Sequence, residues 1–140
     1  MILLDTNLIS ELFLPAPAPQ VLAWAQTHKR TRYFSCAPVL AEIRYGVIRL
    51  AASERKKDLA ERYHSIVASF RGRILPFDLD AAEAFADITV ARSRAGRYIG
   101  IMDATIVAIA KARGAALATR NVNDFENCGV MIIDPWAYKG

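Results

Sequence analysis

The chain has 140 residues, 54% of them hydrophobic, a composition that predicts one folded domain over residues 1–140 and excludes a disordered chain. Its apolar runs are far shorter than a membrane span and no basic segment precedes the first one, so we expect neither a membrane segment nor a signal peptide. The net charge of +4 is compatible with nucleic acid binding, although many other domains reach that value. Cys36 and Cys128 lack a C-x-x-C spacing, so we expect buried free thiols and a reducing cytoplasm.

Short apolar runs alternate with helical patterns along the chain. In chain order, we expect a strand at 1–4, helices at 6–12 and 21–25, a strand at 33–36, helices at 38–50 and 54–70, a strand at 73–77, helices at 80–91 and 104–113, and strands at 115–119 and 130–133. The residues expected to cap these helices are Thr6 or Asn7, Ser53, Asp80 and Asp103, with Gly114 ending the last one. This alternation predicts a three-layer α/β domain with a short, mostly parallel sheet flanked by helices.

Four acidic residues lie at the edges of different apolar segments: Asp5, Glu42, Asp103 and Asp124. Each one alone could be a helix cap or a solvated side chain. All four, however, follow a predicted strand or lie in the first turns of a predicted helix, and ligands of parallel sheets bind at that edge. Several carboxylates in one pocket repel each other unless a cation lies between them. Oxygen ligands of this kind favour hard ions, so the pattern predicts a site for Mg²⁺ or Mn²⁺.

We expect Asp5 and Asp103 to be the direct metal ligands, with Glu42 and Asp124 completing the pocket directly or through waters. The neighbouring side chains that could orient a water or a ligand are Thr6, Thr119 and Asn121. Such a site is suited to metal-assisted hydrolysis of a phosphoester. Because the chain as a whole is basic while the predicted pocket is acidic, the expected substrate is a polyanion.

Several basic residues could contact the phosphates of such a substrate. The helix predicted at 80–91 is followed by Arg92, Arg94 and Arg97. For any one of these side chains, a solvated helix face is the commoner explanation.

In several segments the sequence resembles the PIN domain family. The segments that carry the resemblance are Leu3-Leu4-Asp5-Thr6-Asn7 with Ser10-Glu11, Glu42-Ile43-Arg44-Tyr45-Gly46, Asp103-Ala104, and Thr119-Arg120-Asn121 with Asp124-Phe125. Residues 121–125 and the Asp-Pro-Trp at 134–136 are similar to the FitB-like branch of the VapC-type toxin ribonucleases. The resemblance implies metal-dependent cleavage of RNA, a homodimer that assembles into larger toxin–antitoxin complexes, and inhibition by a cognate antitoxin.

The resemblance has one departure, at Asn121. Many PIN domains carry a further acid there, so either Asp124 fills the fourth acidic position or a second metal is held weakly. The antitoxin implied by the resemblance would place a basic side chain among the acids, and the helices near Trp24 or Phe70 could supply its docking groove.

Two other functions remain open on the sequence. A haloacid-dehalogenase-like phosphatase also places Asp after its first strand, but it normally needs a second Asp two residues on, where this chain has Asn7. A catalytically silent domain that binds a DNA-binding antitoxin is the other alternative. Metal-dependent RNA cleavage would distinguish a toxin ribonuclease from both.

Overall fold

Five short strands form one sheet at the centre of the computed structural model, which describes residues 1–140. The strands are β1 (Ile2–Leu4), β2 (Tyr33–Cys36), β3 (Ile74–Leu75), β4 (Ala116–Ala118) and β5 (Ile132–Ile133). Their order is β3-β2-β1-β4-β5, and every neighbouring pair is parallel. All three residues of β1 are buried, as expected for a central strand with both faces covered. The sheet is therefore entirely parallel, where the sequence predicted mostly parallel.

Six helices surround this sheet, which confirms the predicted α/β architecture. They are α1 (Thr6–Leu12), α2 (Pro19–Ala25), α3 (Ala37–Ile48), α4 (Glu54–Ser69), α5 (Leu79–Arg94) and α6 (Ile101–Arg113). Short 3₁₀ helices occur at Arg30–Arg32, Val122–Phe125 and Pro135–Ala137. No helix combines the length and the hydropathy needed to cross a membrane.

The start of α1 differs from the sequence prediction. Asp5 is the N-cap residue, and its Oδ1 accepts a hydrogen bond of 2.9 Å from the backbone N–H of Leu8. The predicted caps, Thr6 and Asn7, are instead the first two residues of the helix. A cap needs extended backbone and an acceptor that reaches the third helical residue, and Asp5 at the end of β1 has both.

The starts of two further helices also differ from the sequence prediction. The cap of α5 is Asp78, which accepts from the N–H of Ala81 at 3.1 Å, while the predicted cap Asp80 lies in the first turn. Helix α6 begins at Ile101, so Asp103 lies in its first turn and is not its cap. An acid in the first turn is still favoured there, because the unpaired backbone N–H groups give that end a partial positive charge.

Helix α6 is the most deeply buried helix, and this fixes the position of Asp103. Residues 106–110 are all buried, as is Ala104, so apolar residues surround the helix on every side. It packs against α5, α3 and β4. It ends at Gly114, whose φ of +63° is the left-handed conformation that glycine adopts without a steric penalty, as predicted.

Candidate active site

Asp5 lies where β1 ends, and both of its carboxylate oxygens are hydrogen-bonded. Oδ1 caps α1, and Oδ2 accepts a hydrogen bond of 2.5 Å from the hydroxyl of Thr119. The backbone N–H of Asp5 donates to the carbonyl of Ala118 at 3.1 Å, continuing the pairing of β1 with β4. The side chain is 5% exposed. Asp5 is therefore both a helix cap and a member of the acidic pocket, so the two interpretations of the sequence apply together.

Thr119 connects the end of β4 to Asp5. Its side chain is fully buried, and its backbone N–H donates to the carbonyl of Ile133 at 2.9 Å. Its hydroxyl also accepts a hydrogen bond of 3.0 Å from the backbone N–H of Asn121. Because that N–H occupies an acceptor position, the hydroxyl proton is directed towards Asp5. Asn121 thus acts here through its main chain, and its exposed side chain has no partner within the protein.

Glu42 lies on α3 and is half-buried. Its Oε1 accepts a hydrogen bond of 2.5 Å from the hydroxyl of Thr6, the first residue of α1. This bond joins α1 to α3 through residues that are 36 positions apart, and the charge of Glu42 raises the pKa of Asp5. The alternative of a freely solvated Glu42 is therefore wrong.

The carboxylates influence one another electrostatically. Burial raises the pKa of Asp5 above its ordinary value of 3.8, the charges of Asp103 and Glu42 raise it further, and the hydrogen bonds from Thr119 and Leu8 oppose the change. Burial also raises the pKa of Asp103, and the charges of Asp124 and Glu42 raise it further. The fold has thus brought the four predicted acids into one electrostatic group.

Asp124 is the outermost member of this group. It is exposed and lies on the 3₁₀ helix Val122–Phe125, whose last residue is buried in the core. The charge of Asp124 raises the pKa of Asp103. The fourth predicted acid is therefore positioned at the rim beside Asp103.

The donor set fits a hard divalent cation. All four candidate donors are carboxylates, and burial and mutual repulsion make two of them harder to ionise. A cation beside them would remove that penalty. No three acidic, histidine or cysteine side chains converge closely enough to enclose an ion by themselves. Mg²⁺ commonly binds through one or two carboxylates and keeps several waters, so an open arrangement suits it.

Two depressions adjoin the acids. An apolar groove of about 280 Å³ runs between α1, α3 and α4 with Thr6 and Glu42 at its edge. The groove uses α4, the helix that precedes Phe70, but Phe70 and Trp24 are themselves buried and cannot line a docking surface. A polar notch of about 430 Å³ lies beside Asp124 and includes Arg120, whose guanidinium stacks over the ring of Trp136 at 5.3 Å.

The structure contradicts the expectation for Arg92. We expected a phosphate contact or a solvated helix face, but the side chain is 4% exposed and lies inside the protein. The signal was present in the sequence, since Ala84, Ile88 and Arg92 recur every four residues on the buried face of α5.

Comparison with known proteins agrees with this geometry. Residues 2–129 match the PIN domain family. The chain is 39% identical over 137 residues to VapC ribonuclease Y4jK of Sinorhizobium fredii, covering 97% of this chain and 98% of that protein. It is equally 39% identical over 137 residues to toxin FitB of Neisseria gonorrhoeae, covering 97% and 99%.

Solved structures give the same relationship. The crystal structure of FitAcB from Neisseria gonorrhoeae superposes with a TM-score of 0.90 at 38% identity, covering 98% of this chain and 99% of that one. VapBC-5 from Mycobacterium tuberculosis, a member of the VapBC family of toxin–antitoxin systems, has a TM-score of 0.72 at 27% identity, covering 94% and 95%. The chain therefore belongs to the PIN domain family, in the branch that contains the VapC ribonucleases and the toxin FitB.

Proposed function

We propose that this protein is a Mg²⁺- or Mn²⁺-dependent ribonuclease that hydrolyses RNA phosphodiester bonds and acts in the cytoplasm as the toxin of a toxin–antitoxin pair. The observation that carries the proposal is Asp5, a buried carboxylate held by two hydrogen bonds at the end of the central strand, with Glu42 and Asp103 close enough to raise its pKa. The similarity to VapC ribonuclease Y4jK supports RNA as the substrate.

Asp5 and Asp103 are the proposed metal ligands, with Glu42 and Asp124 beside them. A bound Mg²⁺ or Mn²⁺ would supply Lewis-acid chemistry, offsetting charge on a phosphate and lowering the pKa of water. The protein's own contribution is to hold the carboxylates in place before RNA arrives. Thr119 orients Asp5, and both bonds to Asp5 favour the ionised form that a cation needs.

The rim of the pocket is suited to the RNA backbone. Arg120 is exposed beside Asp124, and its stacking on Trp136 restricts the guanidinium before a phosphate binds. The amide of Asn121 lies in the same notch. We propose that Arg120 contacts a phosphate and that Asn121 orients a water or the substrate.

The proposed protein partners are a cognate antitoxin and a second copy of this chain. The similarity to toxin FitB and to VapBC-5 supports the antitoxin, and the apolar groove beside Glu42 is where its tail would lie. Tyr98, in the loop before α6, and Ile101, the first residue of α6, are 84% and 73% exposed. Apolar side chains of this exposure support a homodimer, which could assemble with antitoxin into larger complexes.

A metal titration on RNA tests the proposal. After chelation, purified protein should cleave single-stranded RNA when Mg²⁺ or Mn²⁺ is restored and not with Ca²⁺ alone, because Mg²⁺ holds a compact octahedral geometry and Ca²⁺ a looser one. Full cleavage in excess chelator would exclude a metal mechanism. Hydrolysis of a small phosphomonoester without RNA cleavage would indicate the phosphatase alternative, and antitoxin binding with neither activity would indicate a silent domain.

A further inference from the structure

Arg92 is the only buried basic residue in the protein, and it has no acidic partner. Its side chain is 4% exposed near the end of α5, and it takes part in none of the ion pairs. Burying an unpaired guanidinium is costly, and an apolar side chain at this position would avoid that cost. The charge therefore calls for an explanation beyond packing.

All hydrogen bonds of Arg92 to oxygen end on backbone carbonyls of two separate segments. Nε donates to the carbonyl of Arg97 at 3.0 Å and Nη2 to that of Tyr98 at 3.3 Å. Nη1 donates to the carbonyl of Glu126 at 2.6 Å and lies 3.9 Å from Sγ of Cys128. A planar guanidinium can reach both segments at once, which a lysine ammonium on one stem does less well.

These two segments flank two of the acids. The loop that contains Arg97 and Tyr98 leads directly into α6, whose first turn carries Asp103. Glu126 follows the 3₁₀ helix that carries Asp124. The exposed side chains of Arg97 and Glu126 form a second connection between the two segments, an ion pair of 2.8 Å. Both connections thus join the segment that leads into Asp103 to the segment that follows Asp124.

Each of the two segments adjoins one acid of the proposed pocket, Asp103 in the first turn of α6 and Asp124 on the 3₁₀ helix Val122–Phe125. Asp124 is exposed and its 3₁₀ helix is only four residues long, so local structure gives it little rigidity. The hydrogen bond from Arg92 to the backbone carbonyl of Glu126 supplies the rigidity that the short helix lacks.

We propose that Arg92 is a positioning residue that sets the separation of Asp103 and Asp124, and through it the affinity of the pocket for a divalent cation. The inference rests on the proposed function, because it assigns Arg92 to the support of that same metal site. Arg92 touches neither RNA nor the reacting atoms in this assignment.

Arg73 provides a matched control. It also donates only to backbone carbonyls, those of Arg30, Tyr33 and Ser69, and so it ties separate segments with the same chemistry. It lies beside β3, at the opposite edge of the sheet from β5 and away from α6. Loss of Arg73 should therefore cost stability without moving an acid.

The experiment measures Mn²⁺ binding to the full-length protein by titration calorimetry or electron paramagnetic resonance, with urea unfolding of each variant. Arg92→Met should raise the Kd for Mn²⁺ by about tenfold to a hundredfold, the usual loss when support behind a metal ligand is removed. Arg73→Met should lower stability while changing the Kd less than about twofold. Arg92→Lys should give an intermediate Kd, since the positive charge remains but a lysine ammonium reaches both segments less well than a guanidinium does.

A surface variant keeps the test decisive if Arg92→Met does not fold. Arg97→Gln removes only the exposed outer tie and should raise the Kd in the same direction by a smaller factor. If Arg92→Lys and Arg97→Gln bind Mn²⁺ as the wild type does, or if Arg92→Met loses only stability, the positioning role is wrong. Wild-type protein that binds Mn²⁺ without cleaving RNA would instead overturn the proposed function while leaving this inference to stand on the variants. Wild-type protein that binds no Mn²⁺ would overturn both.

Discussion

The hydroxyl of Thr119 donates a hydrogen bond of 2.5 Å to Oδ2 of Asp5, joining residues that are 114 positions apart in the chain. Since Oδ1 is held by the N–H of Leu8, this bond removes the remaining rotational freedom of the carboxylate. The bond also favours the ionised form of Asp5, because it lowers a pKa that burial raises.

Replacing Thr119 should therefore impair metal binding through Asp5. Thr119→Val keeps the side-chain shape but removes the hydroxyl, and we expect RNA cleavage to fall about tenfold to a hundredfold with a raised Mg²⁺ requirement. Thr119→Ser retains the donor and should keep most of the activity. The measurement is the initial cleavage rate across a Mg²⁺ series; equal Mg²⁺ requirements for the valine and serine variants would show that the hydroxyl is dispensable.

Asp5→Asn and Asp103→Asn should each abolish cleavage while leaving the fold intact. Loss of one group that stabilises transition-state charge usually costs at least about a hundredfold in rate. Asparagine still caps α1 well at position 5, and the Thr119 hydroxyl can turn to accept from the new amide. Asp58→Asn, an exposed change on α4, is the control and should cleave normally. Near-wild-type rates in either variant would remove that acid from the site.

Metal-free protein should lose stability as the pH rises. The folded pKa values of Asp5 and Asp103 lie above 3.8, so folding favours their protonated forms. Their stabilising contribution is complete below 3.8 and is lost as the pH rises through the folded pKa values. Urea unfolding from about pH 4 to about pH 7 should show this fall in the wild type, a smaller fall in Asp103→Asn, and little fall with Mg²⁺ present. An identical pH dependence in wild type and variant would contradict the raised pKa of Asp103.

Asp124 should matter more for metal binding than Asn121. A carboxylate attracts a dication more strongly than an amide does, and the charge of Asp124 raises the pKa of Asp103. Asp124→Ala should raise the Mg²⁺ concentration needed for half-maximal cleavage, whereas Asn121→Ala keeps the backbone N–H that binds Thr119 and should change it little. The reverse ranking would assign the fourth position to Asn121.

Inhibition by an antitoxin tail should depend on one basic side chain reaching Asp5, Glu42 or Asp103. The apolar groove ends beside Glu42, so contacts along it would supply most of the affinity while an arginine or lysine paired with the acids. Replacing that basic residue with alanine should restore cleavage more than it weakens binding. Peptide affinity and residual cleavage are measured together; a substituted peptide that binds and still inhibits fully would mean that it acts by covering the groove.

The sequence was sufficient to predict that the four acids lie near enough to influence one another electrostatically. Asp5 and Asp124 follow strands, Glu42 lies in the second turn of α3 and Asp103 in the first turn of α6, and in a parallel sheet these positions share one edge. The helix caps were less predictable. Choosing between Asp5 and Thr6 depends on where the extended backbone of β1 ends, which hydrophobic periodicity does not resolve to a single residue.

Side-chain partners distant in sequence were not predictable. The pairs Thr6–Glu42 and Thr119–Asp5 follow from the packing of separate elements, and no local pattern encodes them. Arg92 was assigned wrongly because its acceptors are main-chain carbonyls, up to 34 positions away, which leave no trace in residue type. Its spacing from Ile88 was the one available sign, and its charge argued against reading it as buried.

The long separation between Asp5 and Thr119 has a consequence for synthesis of the protein. Strand β1 lies between β2 and β4, so its second neighbour does not exist until the ribosome has added residues 116–118. An incomplete nascent chain already carries Asp5 and Glu42 but lacks Thr119 and Asp124. Contacts between such distant residues also form late in folding, because a long stretch of chain must first be closed. The acidic pocket is therefore complete only when nearly the whole chain has been translated.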